Sequence, residues 1–142
     1  MKNAKTRIVE FISYFFILLF CYAGISKLFD FKNFQIQISE SALLNRFSDF
    51  LPYIIVVVEF FIAGLLCYRK TRNIGLIGSL VLMLVFTGYI ALIINTSDNL
   101  PCSCGGILEK MSWHQHLYFN IGCFVLSVIG LGLNLRYSRP AQ

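Results

Sequence analysis

The sequence predicts an all-α fold: an integral membrane four-helix bundle with short interfacial helices on its extracytoplasmic side. Hydrophobic residues fill 57% of the 142 positions and charged residues only 13%. The mean hydropathy is +0.71, far from the balance of a soluble globular domain. Long apolar stretches, each near the roughly 20 residues needed to cross a hydrocarbon core, carry almost no charge. The basic residues behind the net charge of +5 cluster at the ends of those stretches, where they meet lipid headgroups. This makes the lipid bilayer the partner and sets nucleic acid aside.

Lys2, Lys5 and Arg7 precede a first span over residues 8–29, interrupted only by Glu10 and Lys27. A signal peptide is the competing reading. The apolar run is too long for one, no small-x-small site closes it, and Phe20 before Cys21 spoils a lipoprotein-type site, so a retained helix is expected. Residues 30–49 are too polar to span and form an extracytoplasmic loop. Within it Phe31, Phe34 and Ile38 share one helical face, although Phe34, Ile36 and Ile38 also alternate with Gln35 and Gln37 as a strand would. A short interfacial helix is favoured, followed by a second from Ser41 to Phe50. The second span, residues 50–68, holds Pro52 in its first turn, where a missing N–H costs little. A basic turn, Arg69-Lys70-Thr71-Arg72-Asn73, leads to an uncharged third span over residues 74–95, whose Gly75, Gly78 and Ser79 offer a small face for close packing. Residues 96–116 form the second extracytoplasmic loop, residues 117–135 the fourth span, and a short basic tail ends the chain. Residues 1–142 read as one membrane domain.

Orientation follows from the basic residues. The N-terminus, the turn at 69–73 and the tail hold eight Lys and Arg, against four on the other side (Lys27, Lys32, Arg46 and Lys110). Both termini are therefore expected in the cytoplasm, and the loop at 96–116 faces the compartment where disulfides persist.

That loop carries the candidate chemistry. Cys102 and Cys104, separated by Ser103, are followed by Gly105 and Gly106, a sequence expected to bend enough to bring both sulfurs together. A disulfide needs Cα atoms about 4.4–6.8 Å apart, which so short a separation reaches only when the backbone bends. Such a bridge would be strained and readily reduced, which suits a bond passed between proteins. As a staple it would gain little loop-closure entropy. His114 and His116 follow closely, so that Cys102, Cys104, His114 and His116 are also a candidate zinc or copper set, although their spacing matches no standard signature. A protonated histidine there would instead favour a neighbouring thiolate. Cys21 and Cys123 lie about 12 Å and about 10 Å below the outer ends of their spans. They are a candidate inner redox pair if those two helices are neighbours, and otherwise small buried hydrophobes. Glu59, the sole charge of the second span, lies at its middle, where a carboxylate faces the bundle interior or a functional cavity. It is a candidate proton relay, a candidate contact for a quinone head group, or a structural acid bonded to Thr87, Tyr89 or Asn120. Lys27 is expected to snorkel to the surface rather than reach it.

Ala23-Gly24-Ile25-Ser26-Lys27-Leu28-Phe29-Asp30, Glu59 with Gly64-Leu65-Leu66, Phe86-Thr87-Gly88-Tyr89-Ile90 and Cys102-x-Cys104-Gly105 together resemble the MauE branch of the DoxX-like family of small membrane proteins. The resemblance covers nearly the whole chain, with the Cys-x-Cys-Gly loop its most specific part. The chain departs from the pattern at Gly106 and in its Trp113-His114-Gln115-His116 stretch. The resemblance implies a bacterial inner-membrane protein that exchanges electrons with a periplasmic thioredoxin-like partner, through disulfide chemistry linked to methylamine dehydrogenase maturation. Relatives with quinone-linked activity make a membrane quinone the implied cofactor. The expected function is thiol-disulfide exchange through Cys102 and Cys104. The alternatives are a non-catalytic scaffold that positions a partner protein and a Cys/His metal-handling protein.

Overall fold

The computed structural model describes residues 2–41, 43–96 and 112–138. Within them run five α-helices: α1 (Lys2–Phe29), α2 (Phe31–Glu40), α3 (Leu51–Cys67), α4 (Arg72–Thr96) and α5 (Trp113–Ser138). α1, α4 and α5 are long and apolar enough to cross a membrane. α3, with 17 residues, is about 25 Å long and sits at the lower limit for a span.

The four long helices form a closed ring in which α1 packs on α3, α3 on α4, α4 on α5 and α5 back on α1. Close contacts fix an up-down-up-down arrangement. Gly24, near the end of α1, lies against Phe60 in the middle of α3. Gly75 and Gly78, at the start of α4, lie against Leu66 and Ile62 at the end of α3. Gly130, late in α5, meets Ile12, early in α1. At the end that carries the basic turn, Arg69 bridges to Glu10, and Asn134 donates to the side-chain oxygen of Asn73.

The distribution of side chains is that of a membrane bundle. The outward faces carry exposed Phe11, Leu18, Val57, Phe61, Leu84, Val85 and Val125, while Ser13, Ser79, Ser127, Asn120 and Glu59 are buried inside. The serines need no tertiary partner, because each donates to a carbonyl of its own helix: Ser13 to Val9, Ser79 to Gly75 and Ser127 to Phe124. Around them Val9, Ile12, Phe16, Phe20, Leu66, Leu76 and Met83 form the apolar core.

Gly75, Gly78 and Ser79 do provide the small face expected of them. A Cβ at Gly75 would come within 2.8 Å of Leu66 Cδ2 and 3.1 Å of the Leu66 backbone nitrogen, so α3 and α4 touch almost backbone to backbone. The loop helices differ from expectation in part. α2 forms, buries Phe34 and Ile38, and sets the Phe31 ring against that of Tyr53 on α3, centroids 4.5 Å apart and planes tilted by 44°. The second expected helix, Ser41 to Phe50, is reduced to a single 3-10 turn, Asn45–Phe47. Ser41 is extended, and Asn45, Ser48 and Asp49 are residues whose side chains compete with helical backbone bonding. α5 begins four residues before the expected span. Ser112 and Gln115 form a capping box there: the Gln115 backbone N–H donates to Ser112 Oγ and the Ser112 N–H to Gln115 Oε1.

Candidate functional site

A cluster of charged and aromatic side chains, drawn from all five helices, gathers at the loop-bearing end of the bundle. Its centre is Glu59. Eight residues into α3, and so about 12 Å below that helix's outer end, its side chain is fully buried and its Oε1 accepts a hydrogen bond from Lys27 Nζ at 2.6 Å. Lys27 therefore does not snorkel. A buried carboxylate without a counter-charge costs more than keeping a lysine out of water when the two can pair, and the local packing lets them meet. Gly24, one turn before Lys27, lets α1 approach α3, since a Cβ there would sit 2.9 Å from Phe60 Cε2, on the residue next to Glu59.

Lys27 Nζ also lies 5.6 Å from the ring centroid of Phe34 on α2 and 5.9 Å from that of Phe86 on α4. These distances allow cation–π attraction in a desolvated setting. His116, half-buried in the capped first turn of α5, lies within electrostatic range of the same ammonium. Glu59 Oε2, by contrast, is buried with no hydrogen-bond partner among the described residues. Thr87, one of the partners the sequence suggested for Glu59, spends its hydroxyl proton on Met83 in its own helix. The site is thus a cation close to two phenyl rings and bonded to one oxygen of a carboxylate, whose other oxygen is a buried acceptor with no partner among the described residues.

The family comparison covers this whole arrangement. The family model of the methylamine utilisation protein MauE matches residues 5–133. The chain belongs to the MauE family. No curated protein and no solved structure matches it. The MauE match takes in all four long helices, the Lys27 and Glu59 pair and the connector between α4 and α5, and it establishes a membrane-protein family for the chain.

Cys102 and Cys104 of this MauE-family chain lie outside the described residues; their connector joins Thr96 to Ser112 at the end where Lys27 and His116 sit. Cys21 and Cys123 are both free thiols. Cys123 belongs to the core cluster and Cys21 packs against that cluster. α1 and α5 are neighbours, as an inner pair requires. The flank of α1 that meets α5 is marked by Ile12, however, and Cys21, nine residues on, sits about 180° round the helix, on the side where Gly24 meets α3. Cys67, exposed at the opposite end, donates its thiol hydrogen to the Ala63 carbonyl. His114 is exposed and His116 half-buried. Two residues apart on a helix, they face different directions. Among the described residues no three His, Cys, Asp or Glu side chains come together.

Sequence reasoning weighed Lys27 as a partner of Glu59 and set it aside as a snorkelling lysine, and it missed Phe34 and Phe86 as members of the site. The signals were present: Lys27 closes a span at a depth from which it can reach a mid-span acid, and Phe34 is on the buried face of an amphipathic helix.

Proposed function

We propose that this MauE-family membrane protein exchanges thiol-disulfide equivalents on its extracytoplasmic face with a soluble thioredoxin-like partner, in methylamine utilisation, with Cys102 and Cys104 as the exchanging pair. The observation that carries the reading is the Cys-x-Cys-Gly sequence in a connector between two spans of a MauE-family chain. The described residues on either side of that connector, Thr96 and Ser112, stand at the end of the bundle away from the basic turn, the same end as the buried Lys27 and Glu59 pair, and this supports the reading.

A thiolate of the partner attacks the loop disulfide, or a loop thiolate attacks the partner's disulfide, through a mixed disulfide. In the direction that oxidises the partner, its two thiols lose two electrons and two protons, and the loop disulfide becomes two thiols. The loop is then reoxidised by an acceptor in the membrane that takes up two electrons and two protons, and a quinone has that chemistry.

The test is a Cys104→Ser variant, which leaves Cys102 able to attack and unable to resolve. In membranes carrying a thioredoxin-like partner, a mixed disulfide through Cys102 is expected. A Cys102→Ser variant that assembles normally and loses no function contradicts the proposal and makes the protein a scaffold. Stoichiometric zinc or copper lost from that variant contradicts it in favour of metal handling.

A further inference from the structure

We infer that the Lys27 and Glu59 pair is the head-group site for a membrane quinone, the electron acceptor that the proposed thiol chemistry requires, with Phe34 and Phe86 flanking its ring. The inference rests on the thiol-disulfide reading for the ligand's role, and on the geometry for its place.

A para-quinone ring presents two flat faces and two oxygen atoms on opposite edges, and its reduced form presents O–H donors at the same points. Lys27 Nζ uses one of its three protons on Glu59 Oε1, leaving donors for a quinone carbonyl. Glu59 Oε2 is buried without a partner among the described residues, and a buried acceptor left in this state is destabilising unless something donates to it. A quinol hydroxyl is such a donor. The two phenyl rings that face the ammonium, one from surface helix α2 and one from α4, supply apolar walls for a ring placed against it. The depth suits a ligand that travels in lipid. Glu59 lies about 12 Å below the outer end of α3, and the outward faces of the helices around it are apolar.

The electron count closes. Two loop thiols form one S–S bond and release two electrons and two protons, and the quinone takes up both pairs as it becomes quinol. The two protons set free by the thiols complete the quinol, and Lys27 Nζ as donor and Glu59 Oε2 as acceptor are the two polar atoms that would meet the ring oxygens. A quinol would bind through the same two polar atoms and leave once reoxidised quinone competes for them.

The chain provides its own reporter. Trp113 is its one tryptophan, at the start of α5 and one turn from His116, and quinones quench indole fluorescence at short range. The experiment titrates the purified full-length protein in nanodiscs with a decyl-tailed benzoquinone. The dimethyl ether of the same head group serves as a control for partitioning into lipid. Saturable quenching of Trp113 is expected. A Lys27→Met, Glu59→Leu double variant, which exchanges the pair for apolar side chains and so leaves no unpaired charge, is expected to weaken the apparent affinity at least tenfold while keeping its circular dichroism. A Cys102→Ser, Cys104→Ser variant is expected to bind as the parent does. Quenching that is linear in quinone, or saturable and unchanged in the double variant, overturns this site. Neither result touches the thiol reading, which a redox titration of Cys102 and Cys104 decides separately.

Discussion

Lys27 Nζ of α1 and Glu59 Oε1 of α3 stand 2.6 Å apart inside a bundle whose outer surface is apolar, with side-chain exposures of 14% and 1%. Opposite charges so placed are worth little as a stability device by themselves, yet either is destabilising alone. Lys27→Met or Glu59→Leu alone is expected to destabilise the bundle by about 3–5 kcal/mol, and the double variant to recover most of the loss. Unfolding of the four proteins in detergent checks this. Additive losses would mean that the two side chains do not interact.

The α3 and α4 contact depends on the absence of side chains at Gly75 and Gly78. Gly75→Ala is expected to destabilise by about 1–3 kcal/mol, because the added methyl meets Leu66 backbone as well as side chain. At Gly122 a Cβ would stand in open space, with nothing within 4 Å. Gly122→Ala should be neutral or stabilising by up to about 1 kcal/mol, the propensity difference in a helix interior. Melting temperatures of the two variants decide it, and equal losses would contradict the packing described here.

The basic residues at the N-terminus, at 69–73 and in the tail predict cytoplasmic termini. Cys67, exposed at the end of α3 next to the basic turn, then faces the cytoplasm. In a Cys102→Ser, Cys104→Ser background, a membrane-impermeant maleimide is expected to label Cys67 only in inverted vesicles. Labelling in intact cells would reverse the topology. Cys123, buried in the core, is expected to resist alkylation in either preparation until the protein is unfolded.

How far the sequence carried these conclusions depended on whether each signal was local. Apolar runs and basic flanks marked all four long helices, and Gly75, Gly78 and Ser79 marked a close contact, because length, charge and side-chain size act within one element. The Ser41 to Phe50 segment was over-read, since Phe47 and Phe50 look helical while Asn45, Ser48 and Asp49 favour turns. The start of α5 was under-read, because the Ser112 and Gln115 capping box lies among polar residues that a search for apolar spans passes over. The largest miss was tertiary. Lys27 and Glu59 are 32 residues apart, and nothing along one helix says that Gly24 and Phe60 bring two helices together at that level. Glu59 could be singled out from its own surroundings; its partner and the rings of Phe34 and Phe86 required the fold. Of the candidate site, Cys102 and Cys104 remain legible from sequence and family alone.

Those two cysteines carry the central claim, and the direct measurement is their redox state. Purified membranes are equilibrated across a glutathione series, and Cys102 and Cys104 are then alkylated and quantified by mass spectrometry. A reversible two-electron couple, with its midpoint in the range where thioredoxin-like proteins exchange, about −120 to −270 mV, is the predicted result. Cysteines that stay reduced, or stay bridged, at every potential would contradict it.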